Sequence, residues 1–185
     1  LPVVFAMDRA GMVGNDGETH QGVFDISYLR FIPNMILFAS RDNETLIQGL
    51  EFAYTLTSPS AIRYPRGYFK ELVYNSTPFT LGKAELLKDG SSNKLFIGYG
   101  AGVSRAIETE SLYEEDIAIL DLRFVKPIDK DILVELSKKY DNWYVFSDSQ
   151  KQGGVASAIL EVLNEKRIHN VEVTSFEYDD SFIEH

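Results

Sequence analysis

Between Asp8 and Gly22 the chain reads DRAGMVGNDGETHQG, which sets an arginine, three carboxylates, a histidine and four glycines within fifteen residues. Each type has a chemistry. Arg9 offers a planar guanidinium fork suited to a phosphate or carboxylate, Asp16 an acceptor for a hydroxyl, and His20 a group that moves protons near neutral pH. Gly11, Gly14, Gly17 and Gly22 allow tight backbone paths and close approach of a ligand. The same composition also suits a solvated turn, because Gly, Asn and Asp are the residues turns favour. The glycine spacing matches neither the dinucleotide fingerprint nor the P-loop.

A second constellation is AIRYPRG, residues 61–67. Ala61 and Ile62 enter an apolar strand and Pro65 ends it, which leaves Arg66 to project from its carboxyl end. Arg63 reads as structural, in a salt bridge or over an apolar surface. DLRFVKPID (121–129) reads as a structural link to a capped helix. SDSQKQGG (147–154), with Lys151, reads as a plain strand-to-helix loop. His169 and His185 have no companions at metal-ligand spacing, and no metal motif is visible.

The elements that must position these groups follow an α/β rhythm. Apolar runs at 3–7, 35–39, 61–64, 95–99, 117–122, 143–147 and 171–176 predict seven strands, the first of them buried, alternating with about five helices. Asp42 is placed to cap a helix with Leu46, Leu50 and Ala53 inward. Asp129 is placed to cap another with Ile132, Leu133 and Leu136 inward, and a third follows Gly153 and Gly154. DGSSN (89–93) reads as a hairpin-type turn or loop. The first strand delivers DRAG at its carboxyl end, where open α/β sheets form ligand crevices.

Composition narrows the function classes. A net charge of −10 disfavours nucleic acid or anionic lipid as the main partner, so any anionic ligand needs a local basic cluster. Residues 1–69 carry five Arg and no Lys, a bias toward bidentate anion binding. The absence of cysteine removes disulfides, thiolate metal sites and Cys nucleophiles, and no apolar run is long enough to span a membrane. A cytoplasmic location is the default expectation. The chain opens inside an apolar run without Met, and the expectation is part of a longer protein.

Together, PVVFAMDRAGMVGNDGETHQGVFDISYLRFIPNMILFASRDNETL, PSAIRYPRG, LDLRFVKPID and DDSFIEH closely resemble the 1-deoxy-D-xylulose-5-phosphate synthases, thiamine-diphosphate enzymes of the transketolase superfamily. The resemblance implies two three-layer α/β/α units. Residues 1–67 would be the second half of the pyrimidine-binding domain, 68–80 a linker, and 81–185 the transketolase C-terminal domain. It implies condensation of pyruvate with glyceraldehyde 3-phosphate with loss of carbon dioxide, feeding isoprenoid, thiamine and pyridoxal synthesis, in a homodimer that uses magnesium.

Carried onto this sequence, Arg9 and Arg66 would grip the acceptor phosphate, Asp16 would take an acceptor hydroxyl, and His20 would stand at the reacting carbonyl. The thiamine-diphosphate and magnesium sites would lie mainly outside these residues, with His20 the one candidate contact to the cofactor. One departure is SDSQKQGG, where many relatives have an acidic pair before the glycines. Two alternatives stay open: another transketolase-like or 2-oxoacid dehydrogenase component, or a noncatalytic dimerisation module.

Overall fold

Short β-branched and aromatic runs, each followed by a turn or a capped helix, build two sheets. The computed structural model describes residues 1–14, 16–70 and 72–183, so His185 lies outside the described residues. In chain order the strands are β1 (Val4–Met7), β2 (Ile36–Ala39), β3 (Ser60–Arg63), β4 (Glu85–Lys88), β5 (Lys94–Gly98), β6 (Ala118–Asp121), β7 (Phe124–Lys126), β8 (Asn142–Gln150) and β9 (Glu172–Tyr178). The helices are α1 (Asp25–Arg30), α2 (Asn43–Tyr54), α3 (Gly102–Glu110), α4 (Lys130–Leu136) and α5 (Val155–Glu165), and Glu18–His20 form one 3-10 turn.

The first sheet runs β1-β3-β2-β7, with β7 antiparallel to β2 and the rest parallel. The second runs β4-β6-β5-β8-β9, parallel except for β4. Because β7 lies after β6 in sequence yet bonds into the first sheet, the chain crosses back between the units. The main core does the same. Leu37, Ala39 and Ala61 of the first sheet belong to one cluster with Leu95, Ile97, Leu120 and Trp143 of the second. On the other face of the first sheet, Phe38, Phe52, Phe124 and Phe79 pack with ring centroids 5.2 to 5.9 Å apart. Phe79 thereby ties the 68–80 segment to the first unit.

Several expectations are corrected. β1 is exposed, with Val4 at 39% and Phe5 at 45%, because it pairs only with β3 at the sheet edge. Leu50 is exposed because α2 approaches through Gly49, where a Cβ would lie 2.8 Å from Ile62. Of the two readings of DGSSN, the loop holds and the hairpin does not, since β6 lies between β4 and β5. Residues 147–150 are strand, and only 151–154 form the turn before α5.

Capping is as the sequence indicates for two helices. Asp42 accepts from the Thr45 amide at 2.8 Å, and Asp129 from the Ile132 amide at 3.4 Å. Gly154 has no side chain to cap α5, so Glu177 of β9 accepts from the Val155 and Ala156 amides and from the Ser149 hydroxyl. Burial still pushes the Glu177 carboxyl up from its ordinary value.

A buried quartet of charges joins the two sheets. Arg41, with no exposed side-chain surface, donates to Asp121 at 2.8 Å and to Glu85, and Arg123 donates to Glu85 as well. Burial opposes ionisation of Glu85, but its Arg41 and Thr77 hydrogen bonds outweigh that and hold the carboxyl below its usual range. Removing one member of such a group leaves an uncompensated buried charge. Arg41→Met is therefore expected to lower unfolding free energy by about 3–5 kcal/mol in urea titrations; a loss under about 1 kcal/mol would deny the quartet its joining role.

Candidate functional site

Arg9 and Arg66 leave neighbouring strands at the same end. β1 and β3 are parallel and in register, with Met7 opposite Arg63, so residues 8–9 and 64–66 emerge side by side from the carboxyl end of the first sheet. The pairing continues one step further, since Tyr64 N donates to Met7 O and Ala10 N to Tyr64 O. The chain then turns sharply. Arg9 has φ +56° and Gly11 φ +86°, both left-handed, a conformation costly for a residue with a Cβ such as Arg9.

The neck of the loop is closed by reciprocal bonds between Gly11 and Gly22, 2.8 and 2.9 Å long. Inside it, Gln21 accepts from Val13 N and donates to the carbonyls of Val13 and Asp16. These bonds place the Asp16 carboxylate between the two arginines. Arg9 Nε donates to one oxygen at 2.9 Å and Arg66 Nη1 to the other at 2.5 Å, while Arg9 Nη1 also reaches Asp8. Desolvation acts to raise the Asp16 carboxyl, yet the hydrogen bonds from Arg66 and Arg9 prevail and hold it below its ordinary 3.8.

Of the four residues singled out from the sequence, the structure thus brings together Arg9, Asp16 and Arg66. His20 stands apart. It ends the 3-10 turn, is exposed, and its Nδ1 lies 3.0 Å from the Thr19 hydroxyl. Among the described residues no hydrogen bond joins it to the other three.

Behind the loop, Arg63 is structural, as expected. It is 2% exposed and bonds Asp25 through Nε at 2.6 Å and Nη2 at 3.0 Å, with Nη2 also donating to Gly22 O at 2.9 Å. Four residues here were missed from the sequence: Gln21, Asp25, Arg105 and Asp148. Gln21 sits within the quoted motif, but its type carries no chemical signal there. The other three lie on separate elements, and only the fold assembles them.

Lys151 makes an exposed ion pair with Asp179, so it is not reserved for an anion. A cleft of about 830 Å³ lies beside Asp148 and Arg105, between α3 and the β8–β9 face, floored by Phe146 and Phe176. Among the described residues no three His, Cys, Asp or Glu side chains come together.

Residues 82–178 match the transketolase C-terminal domain, and residues 1–70 match the transketolase pyrimidine binding domain. The chain belongs to the transketolase family. It is 76% identical over 185 residues to the 1-deoxy-D-xylulose-5-phosphate synthase of Aliarcobacter butzleri (strain RM4018), covering 100% of this chain and 31% of that protein. It is 56% identical to the synthase of Sulfurimonas denitrificans, again covering 100% of the chain and 31% of the relative. The chain therefore spans about a third of the length of these relatives. Among solved structures, a split-gene transketolase described as an inactive beta4 tetramer superposes with a TM-score of 0.83 at 23% identity, over 97% of this chain and 57% of that one. The transketolase of Campylobacter jejuni superposes at 0.65 and 20% identity, over 98% and 27%. Both carry the fold, and no helix of the described transketolase-family residues is long and apolar enough to cross a membrane.

The Asp16 geometry sets a titration. A depressed carboxyl contributes stability above its unfolded value and loses it as pH falls through its folded value, here below 3.8. Carboxyl carbon NMR is expected to show Asp16 titrating below 3.8, with Arg66→Ala moving the midpoint upward toward that value. An unmoved midpoint would mean that Arg66 does not hold the carboxylate.

Proposed function

We propose that this chain is a segment of a 1-deoxy-D-xylulose-5-phosphate synthase and forms the acceptor-substrate wall of its active site. The whole enzyme condenses pyruvate with glyceraldehyde 3-phosphate, releasing carbon dioxide, with thiamine diphosphate supplying carbanion stabilisation. The observation that carries the reading is the convergence of Arg9 and Arg66 on one carboxylate. Two guanidinium groups from adjacent strands, spaced to hold two oxygens of one anion, are what a phosphate dianion requires in a protein of net charge −10. The 76% identity over the whole chain to a synthase of that name supports the same reaction.

In this reading Arg9 and Arg66 take the phosphate and fix the acceptor's position, which converts binding into orientation of the aldehyde. Asp16, ionised and already an acceptor, receives an acceptor hydroxyl. His20, exposed at the end of its turn, handles the proton at the oxygen on which charge develops. The family resemblance assigns magnesium and the cofactor's diphosphate mainly to the rest of the enzyme, which is a homodimer in this reading. A cytoplasmic setting accords with phosphorylated substrates.

Arg9→Ala and Arg66→Ala in the full-length enzyme are expected to raise KM for glyceraldehyde 3-phosphate by about 10- to 100-fold while leaving KM for pyruvate near its original value, since each removes a charged hydrogen bond. Equal effects on the two substrates would remove the phosphate role. For His20→Ala the fall should appear in kcat, and an unchanged kcat would take His20 out of the chemistry. If purified full-length enzyme makes no 1-deoxyxylulose 5-phosphate from these substrates, the assignment itself fails.

A further inference from the structure

The second sheet has a topological switch point between β5 and β8, and it is not open. Phe96, Gly98, Tyr144 and Phe146 face α3, whereas Leu95, Ile97, Trp143 and Val145 face α5, so the helices that follow these two strands lie on opposite faces. In such sheets the crevice outside the carboxyl ends of the two strands is where a ligand sits. Here the first unit fills it. A Cβ at Gly11 would lie 2.6 Å from Asp148 Cβ, so the backbone of the DRAG segment rests directly on that side chain. Arg63 enters beside it, with its guanidinium 5.9 Å from the Tyr99 ring and Nη2 3.3 Å from Asp148 O. Only about 10 Å³ of free volume remains between Ala10, Arg63, Tyr99, Gly100 and Asp148.

The contact continues past the crevice. Gln150 N donates to Val23 O at 2.9 Å, the Ser27 hydroxyl to Gln152 O at 2.6 Å, and Arg30 Nη1 to Gly153 O at 2.9 Å. Asp148 is itself braced from α3 by Arg105 at 2.5 Å.

We infer that the C-terminal unit has turned its ligand crevice into a clasp for the DRAG loop, with Asp148 as a positioning residue for Arg9. This rests on the assignment of Arg9 to the acceptor phosphate. The reason is mechanical. Arg9 is held left-handed at the neck of the loop, a conformation that persists in a residue with a Cβ only where surrounding structure over-determines it, while Gly11 takes its positive φ freely. The Gly11–Gly22 bonds and the Arg63 bond to Gly22 O hold it from one side, and Asp148 closes the other. Asp148 touches neither Arg9 nor Asp16 in the described contacts, so its effect on the acceptor travels through the backbone of residues 10 and 11.

The test is Asp148→Ala, with Asp148→Asn as the shape-retaining control, in the full-length enzyme. Amide exchange at Ala10, Gly11 and Gly22 is expected to speed up about fivefold in Asp148→Ala, with Ile97 in β5 unchanged as the check that the fold is intact. KM for glyceraldehyde 3-phosphate should rise by a similar factor with KM for pyruvate unmoved, and Asp148→Asn should restore both readouts. Unchanged exchange at the three amides, a parallel rise in both KM values, or failure of Asp148→Asn to restore would each overturn the clasp. If the enzyme makes no product from these substrates, the functional assignment falls while the exchange measurement still decides the clasp.

Discussion

Arg63 is buried, and its Nε and Nη2 donors join two stretches of chain remote from it in sequence, the segment 22–25 and the end of β8. Asp25 at the start of α1 takes its charge, Gly22 O at the neck of the loop takes one N–H, and Asp148 O at the end of β8 takes another. Such a pair is a weak source of net stability, because desolvation offsets most of the attraction. Its value is geometric. Moving the loop, α1 or β8 away from this placement breaks one or more of these bonds and leaves a buried charge or carbonyl unpaired. The positions of Arg9 and Arg66 follow from that placement, since both emerge from strands that the Arg63 network fixes.

The second constraint is electrostatic. A chain with ten excess negative charges repels a dianion at long range, so capture has to be local. Two guanidinium groups brought within reach of one anion also repel each other, and the Asp16 carboxylate between them removes that penalty. In the proposed reading the same carboxylate competes with the acceptor phosphate for the same donors. On that reading, affinity at this site is a difference between two ion-pairing arrangements and not the full strength of a free clamp.

Legibility in the sequence follows the same division between local and assembled features. The seven apolar runs all form strands, and Asp42 and Asp129 cap the helices they precede, because these signals are carried by neighbouring residues. Helices α1 and α3 have no capping side chain at Phe24 and Ala101, so no start signal marks them. The short strands β4 and β7 gain their identity from partners distant in sequence. In the site, residue types and strand ends marked Arg9, Asp16 and Arg66 as a group, but nothing local distinguishes His20, which stands apart, from a member of it. Asp25, Arg105 and Asp148 were invisible because their roles exist only where α1, α3 and β8 meet.

That distribution explains why two domains separable by family resemblance are not separable in their energetics. β7 leaves the second sheet to pair with β2, the Arg41 quartet spans both sheets, and one core cluster is shared between them. The DRAG loop is built from the first unit, yet its rear wall is Asp148 and its neighbours along α1 are the carbonyls of 152 and 153. Opening it alone would strand buried donors on Arg63, so the cheaper route for the loop to move is with the second unit. If the site holds a phosphate as proposed, it gains from this coupling, because the left-handed strain at Arg9 is carried by the whole interface and not by the loop.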